Sequence, residues 1–156
     1  MVAITKYNLG GLMNTLVVCP KCEKLNRVAL DKASSFKPVC GNCHSELPLH
    51  NNVQDVGDVT LTKLVRLSDR LVVVDFWAEW CGPCQAFAPT FKAAAAELGG
   101  QIVFAKLNTE MYPQSSQKFQ IRGIPTLIVF KGGVEVDRQS GAMPLPTLKE
   151  YLARWK

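Results

Sequence analysis

The 156-residue sequence lacks long apolar segments, runs of basic residues and low-complexity stretches, and it contains only two histidines. No apolar stretch approaches the roughly 18–20 residues that a membrane-spanning helix requires, so we expect no membrane association. The first twelve residues lack the apolar core of a signal peptide, which makes the cytoplasm the predicted location. A start of translation at Met13 is as compatible with the sequence as one at Met1, and residues 1–12 are interpreted as a flexible extension.

The net charge of +5 is small, and the basic residues are scattered. Proteins that bind nucleic acid usually carry a clustered basic face, so we expect no nucleic-acid partner. Charged residues make up 20% and apolar residues 47% of the chain, which is typical of a globular protein with room for one full domain and a small module. Six cysteines in a cytoplasmic protein favour metal and redox chemistry over structural disulfides.

The most informative motif is a pair of cysteines, Cys81 and Cys84, that directly follows an apolar segment. Residues 71–77 are short, β-branched and almost uncharged, which predicts a buried strand. The alanine-rich residues after Cys84, as far as Leu98, predict a helix that Pro89 should kink. The first sulfur then lies near the positive end of a helix, where a thiolate is stabilised. A second thiol two residues away equips the pair to open a disulfide in another molecule.

A second cysteine pattern precedes this motif, in residues 13–50. Two CxxC units are separated by seventeen residues, a spacing typical of a four-cysteine zinc ribbon, and their cysteines are Cys19, Cys22, Cys40 and Cys43. About thirty residues cannot bury enough apolar area to fold alone, so a metal is physically expected.

Two other interpretations of these cysteines remain open. Two disulfides would allow three pairings, but a reducing compartment disfavours them. Residues 40–44 also fit the haem-attachment pattern CxxCH, but that chemistry requires export. Four thiolates already close a tetrahedral site, so His44 and His50 are expected outside the ligand set.

The rest of the sequence predicts an α/β fold with a mixed sheet and helices on both faces, because strands and helices alternate before a final hairpin and helix. Residues 47–57 are interpreted as a linker, and Thr60 as the cap of an amphipathic helix with Leu61, Leu64, Val65 and Leu67 on its apolar face. The remaining predicted elements are strands at 101–107, 126–130 and 134–138 and helices at 113–119 and 145–155.

Four segments of the chain resemble thioredoxins. Residues 74–84 resemble the family's active-site stretch, and residues 105–108 its third strand with a lysine. Residues 121–126 resemble the loop with the family's cis-proline, and residues 140–142 its glycine turn. The resemblance covers about residues 53–156, and the full chain resembles the zinc-containing bacterial thioredoxins, the thioredoxin 2 family. It implies a thioredoxin domain at 51–156 and a zinc-ribbon module at 13–50, with the four cysteines above as the ligands of one structural Zn²⁺.

The resemblance also implies roles for individual residues. Cys81 would be the nucleophile and Cys84 the resolving thiol, which together form the redox-active disulfide. Asp75 would lie beneath that disulfide and help to deprotonate Cys84, while Lys106 partly compensates the buried charge. Pro125 would be cis and face the dithiol.

A flat apolar patch would dock the substrate around the dithiol, and its residues would be Trp80, Gly82, Ile124 and Gly141. Trp77 would pack against the active-site loop. Gln85 departs from the family, since many thioredoxins carry a basic residue at this position.

The resemblance implies that the protein is a monomeric protein-disulfide reductase, which thioredoxin reductase recharges. The alternative is a zinc-ribbon binding or chaperone module with a redox-sensing zinc site.

Overall fold

The computed structural model describes residues 14–30, 37–48 and 52–156. The extension expected at 1–12, the alternative start Met13, and His50 therefore lie outside the described residues. The strands are β1 (Asn14–Val18), β2 (Leu25–Ala29), β3 (Gln54–Asp55), β4 (Leu71–Trp77), β5 (Ile102–Asn108), β6 (Thr126–Lys131) and β7 (Val134–Ser140). The helices are α1 (Asp58–Leu67), α2 (Gly82–Leu98), α3 (Pro113–Lys118) and α4 (Leu145–Ala153).

Five strands form one mixed sheet in the order β3-β5-β4-β6-β7. The central strand β4 pairs parallel with β5 and antiparallel with β6. Side chains alternate between the two faces of a strand, and both faces of β4 are buried. Val72, Val74 and Phe76 join the core on the α1 side, whereas Leu71 and Val73 join the core under α2 and α4. This is the α/β thioredoxin fold expected from the sequence.

Most predicted elements are confirmed, with small shifts of their ends. The strand at 71–77 has the predicted bounds, and α2 runs continuously through Pro89. α1 begins at Asp58 with Gly57 as its N-cap, so the prediction that Thr60 caps it is wrong. Leu67 is 43% exposed and does not belong to the buried face. The linker interpretation missed β3, because a two-residue strand carries no periodic signal.

The N-terminal module packs directly against this sheet. β1 and β2 form a two-stranded antiparallel hairpin. Leu16 and Val18 of β1 join the core on the α1 side, whereas Val17 faces a small cluster of the module's own that contains Leu47. Because Leu47 lies in this cluster, it is part of the module and not of a linker.

Two side chains from the larger sheet hold β1 in place. The Gln54 amide accepts a hydrogen bond from Val18 N at 2.6 Å and donates one to Leu16 O at 3.0 Å. It therefore replaces the backbone pairing that a further strand would provide. The buried Arg70 guanidinium donates to Asn14 O at 2.8 Å and also to Gly100 O.

Among the described residues, no helix is long and apolar enough to cross a membrane.

Gly57 supports a prediction about packing at the start of α1. An added Cβ would lie 2.7 Å from Tyr112 Cε1, and this ring packs against the core. We expect Gly57→Ala to lower the free energy of unfolding by about 1–3 kcal/mol, because the half-buried ring has to move. Urea unfolding checks this, with Gly100→Ala as the control, since a Cβ there meets nothing within 4 Å. Equal stability of the two variants would contradict the prediction.

Candidate active site and metal centre

The two cysteines of the first motif form a disulfide at the start of α2. Cys81 is the N-cap of this helix, and its Sγ accepts a hydrogen bond from Cys84 N at 3.2 Å. Pro83 lies in the first turn, where the missing N–H costs little. Both cysteines are buried, at 3% and 2% exposure, so burial hardly distinguishes them in the oxidised form. Position distinguishes them, because only Cys81 receives the unpaired N–H groups of the helix start.

The loop before β6 lies against this disulfide. The Ile124–Pro125 peptide bond is cis, as the resemblance implied. Ile124 O lies 3.7 Å from Cys81 Sγ. Gly141 N donates to Pro125 O at 2.8 Å, and Gly141 has a φ of 89°, a left-handed conformation that favours glycine. The structure thus brings the predicted cis-proline loop and glycine turn together beside Cys81.

The surface around the disulfide is open and partly apolar. Trp80 is 69% exposed, and Ile124 is half-buried. A Cβ added at Gly82 would meet nothing within 4 Å, so the surface above the start of α2 is free. Gln85 is exposed, and its side chain donates to Glu79 O. A partner chain has room to approach Cys81 from this side.

Asp75 is a buried carboxyl in the central strand, with 4% exposure. Burial raises the pKa of Asp75 from 3.8 to about 7, and the positive charge of Lys106 opposes that rise. Asp75 Oδ1 is buried and has no hydrogen-bond partner among the described residues. A carboxyl in this state exchanges a proton near neutral pH.

Lys106 lies opposite Asp75 in the paired register of β5 and β4. Its ammonium is nevertheless bound elsewhere, 3.5 Å from Asp55 Oδ1 and 5.0 Å from the centre of the Trp77 ring. Asp55 therefore belongs to this group of residues. Sequence reasoning missed it, because it lies on the short strand β3 inside the predicted linker.

A cleft of about 840 Å³ lies between α2, β3 and the N-terminal module. Asp75 and Lys106 line it from the sheet, and Gln85 and Lys92 line it from α2. Cys19, Pro20 and Glu23 of the module line it from the other side. The module and the predicted catalytic carboxyl therefore share one cleft, which no pattern in the sequence predicts.

Asp75 supports a prediction about stability and pH. Between about pH 4 and 7 the folded chain holds a proton that the unfolded chain has released, so stability falls as the pH rises through this window. The difference between pKa values of 3.8 and about 7 corresponds to up to about 4 kcal/mol above pH 7. We expect Asp75→Asn, which cannot ionise, to be more stable than the parent by up to this amount at pH 8.

The gain should disappear near pH 3, where Asp75 is protonated in both states. Urea unfolding of the oxidised proteins at pH 3, 5 and 8 measures it. Asp69→Asn is the control, because Asp69 is an exposed aspartate. A stability gain that does not vary with pH would contradict the assignment.

The four N-terminal cysteines meet at one point. Their Sγ atoms all lie within 4.8 Å of one another, with Cys19 and Cys40 buried and Cys22 and Cys43 half-buried. The Cys19–Cys43 and Cys22–Cys40 sulfurs are 3.6 Å apart, too far for the roughly 2.05 Å of a disulfide. Tetrahedral zinc with sulfurs at about 2.3 Å separates them by about 3.8 Å. The cluster fits a tetrahedral metal ion and not two disulfides.

Each CxxC unit forms a turn of the same kind. In the first, Cys19 N donates to Lys24 O and Glu23 N to Cys19 O; in the second, Cys40 N donates to Ser45 O and His44 N to Cys40 O. Glu23 and His44 have left-handed φ values of 58° and 60°. His44 thus occupies the position of Glu23, exposed and outside the sulfur cluster.

Polar groups around Cys19 and Cys40 favour the thiolate forms of these two cysteines. Asn42 N lies 3.4 Å and Asn26 Nδ2 3.6 Å from Cys40 Sγ, and Ser45 Oγ lies 3.3 Å from Cys19 Sγ. The hydrogen bond from Ser45 lowers the pKa of Cys19 to about 6, against the effect of burial. Sequence reasoning singled out the four cysteines but not these supporting residues, because the supporting residues carry no spacing signal.

Comparison with known proteins agrees with this geometry. Residues 52–154 match the Thioredoxin family. The chain is 39% identical to "Thioredoxin C-3" of Corynebacterium nephridii over 141 residues, which covers 88% of this chain and 92% of that protein. It is 46% identical over 99 residues to "Thioredoxin 1" of a Nostoc species, covering 64% and 92% of the two chains. It is 44% identical over 105 residues to the pea "Thioredoxin M-type, chloroplastic", of whose length the match spans 61%.

Proposed function

The chain belongs to the thioredoxin family, and from this membership we propose that it reduces disulfides in other proteins through Cys81 and Cys84 by way of a mixed disulfide. As a thioredoxin it is a thiol–disulfide oxidoreductase and a protein-disulfide reductase. The observation that best supports reduction through Cys81 and a mixed disulfide is the position of Cys81. Its sulfur caps α2, is bonded to Cys84 and lies beside the Ile124 carbonyl.

In the proposed reaction the Cys81 thiolate attacks a substrate disulfide, which breaks that bond and releases one substrate thiolate. Cys84 then attacks Cys81 Sγ, which releases the second substrate thiolate and forms the Cys81–Cys84 disulfide. Two electrons pass from the dithiol to the substrate. The N–H of Cys84 and the helix start stabilise the Cys81 thiolate.

Asp75 would take up the proton that Cys84 loses when it attacks. Support comes from its burial, its pKa of about 7 and its unpartnered Oδ1. A group with such a pKa is half ionised near neutral pH, which suits a general base. Lys106, on the neighbouring strand, would oppose the accumulation of negative charge there.

Substrate chains would dock on the patch of Trp80, Gly82, Ile124 and Gly141, with Pro125 at its centre. The exposure of Trp80 and the free surface above Gly82 support this placement. The Ile124 carbonyl lies 3.7 Å from Cys81 Sγ, so a substrate segment beside this loop would lie close to the attacking sulfur.

Residues 13–50 would form a module that binds one structural Zn²⁺, and residues 51–156 the catalytic domain. Cys19, Cys22, Cys40 and Cys43 would hold the ion, which would supply a cross-link that the small hairpin cannot provide for itself. The fit of the sulfur cluster supports this assignment.

Thioredoxin reductase would regenerate the dithiol with electrons from NADPH, in a cytoplasmic and monomeric protein. A reducing compartment agrees with the four unpaired cysteines of the module.

The test of the proposed function mixes the protein with insulin, a bacterial thioredoxin reductase and NADPH, and follows NADPH oxidation. Turnover that requires all components supports the proposal. A second assay follows insulin reduction by dithiothreitol, without the reductase. If the protein does not accelerate this reaction, the proposal is refuted.

A further inference from the structure

Three ionisable side chains form a row across the sheet. Asp55 on β3 is in register with Lys106 on β5, and Lys106 is in register with Asp75 on β4. Residues paired in this way project from the same face of the sheet. Neighbouring strands lie about 4.8 Å apart, so the two aspartates are separated by about 10 Å with one lysine between them.

The central lysine is shared unequally between the two carboxyl groups. Its Nζ is 3.5 Å from Asp55 Oδ1, and it also lies over the Trp77 ring. The Asp55 side chain is 79% exposed, whereas Asp75 is buried and its Oδ1 has no partner among the described residues. The exposed carboxylate therefore holds the ammonium that could otherwise neutralise the buried one.

We propose that Asp55 is a positioning residue that holds the Lys106 ammonium away from Asp75 and thereby determines the pH at which the buried carboxyl releases its proton. A free ammonium would move toward the unpartnered carboxylate and favour its ionised form. With Asp55 in place, the carboxyl keeps its proton to a higher pH. The proposal concerns Asp75 in the role given to it under the proposed function, and rests on that function for its catalytic meaning.

Other charged and ionisable groups surround Asp75 but do not interrupt this row. Those that line the same cleft are Lys92 on α2 and Glu23 and Cys19 of the N-terminal module. From β6, the residue paired with Asp75 is Leu127, which is uncharged. The redox pair at the start of α2 is present as a disulfide and does not titrate in the oxidised protein. These groups are unchanged by substitutions at Asp55.

The test follows the Asp75 carboxyl carbon by NMR through a pH titration of the full-length oxidised protein. Asp55→Asn should lower its titration midpoint by more than about half a unit, because the released ammonium adds to the direct effect of one charge near 10 Å, which is about half a unit at an effective dielectric constant of about 40–50. Asp55→Lys should lower it further, and Asp55→Glu should restore it close to the parent value. Asp69→Asn is the matched control, because it removes an exposed aspartate that pairs with Arg27, far from the row.

The same titration in a Lys106→Met background separates positioning from a direct effect of charge. There, Asp55→Asn should lower the midpoint by clearly less than it does in the parent. An unchanged or raised midpoint in Asp55→Asn and Asp55→Lys overturns the proposal. So does an equal shift in Asp69→Asn, or a full shift that persists in Lys106→Met.

Failure of this proposal is distinguishable from failure of the proposed function. The titration uses oxidised protein and involves no turnover, so its outcome does not depend on catalysis. A lowered midpoint together with an unchanged pH profile for mixed-disulfide resolution would support the role of Asp55 and remove the proposed role of Asp75 as base.

Discussion

Replacement of Cys81 by serine should abolish protein-disulfide reduction, with a rate loss of at least about a thousandfold, because a serine hydroxyl is not ionised near neutral pH and cannot replace the thiolate nucleophile. The fold should persist, since serine occupies nearly the same volume at a helix N-cap and is a preferred residue there. Insulin reduction measures the loss, and circular dichroism of the reduced variant verifies the fold.

Cys84→Ser should have a different consequence. Cys81 can still attack a substrate disulfide, but the resolving thiol is missing, so the mixed disulfide accumulates. Intact-mass spectrometry after incubation with a disulfide-containing peptide should find the adduct in Cys84→Ser and not in Cys81→Ser.

The control for both variants is Ala86→Ser, which adds a hydroxyl to the exposed face of the same helix and should leave turnover unchanged. Adduct formation by Cys81→Ser would show that Cys81 is not the nucleophile. Normal turnover by Cys81→Ser would remove the proposed function altogether.

Cys40→Ser should abolish binding of the zinc proposed for the sulfur cluster and destabilise both parts of the protein. Cys40 is completely buried in the sulfur cluster, and a hydroxyl does not replace a thiolate ligand of zinc. Without the ion the small hairpin cannot remain folded. Leu16 and Val18 would then leave the core of the larger sheet, which should cost that domain about 4 kcal/mol at roughly 1.5–3 kcal/mol per buried side chain.

Two measurements check this prediction. Elemental analysis should find one zinc per parent chain and none in Cys40→Ser. Trp77, Trp80 and Trp155 are the protein's three tryptophans, so fluorescence during urea unfolding reports on the catalytic domain alone. Val39→Ala, at an exposed neighbouring position, should retain both metal and stability. Retention of zinc in Cys40→Ser, or an unchanged urea midpoint, would contradict the expected coupling.

The sequence predicted the larger part of the fold because its elements carry strong local signals. The almost uncharged, valine-rich residues 71–77 predict a buried strand, and the structure has that strand with the same bounds. The ends of α1 and the existence of β3 were missed, because caps and two-residue strands depend on what packs around them. Gly57 illustrates this, since only the packed structure shows that the Tyr112 ring leaves little room for a side chain at this N-cap.

The candidate site was predictable to a similar degree. Cys81, Cys84 and the four module cysteines are evident from spacing, because a dithiol and a tetrahedral site each require fixed separations along the chain. The partner of Lys106 was not evident. Asp55 is distant in sequence and lies in a segment without periodicity, so only strand pairing brings it to the lysine.

By itself, the sequence determined which chemistry this protein carries and which segments form its sheet and helices, because thiol spacing and apolar periodicity are local properties of the chain. The tertiary structure decided how these parts meet. Gln54 and Arg70 attach the module to the sheet, and the pairing of β3, β5 and β4 places Asp55, Lys106 and Asp75 in one row. Such contacts join residues that are far apart in sequence, and their geometry exists only once the chain has packed.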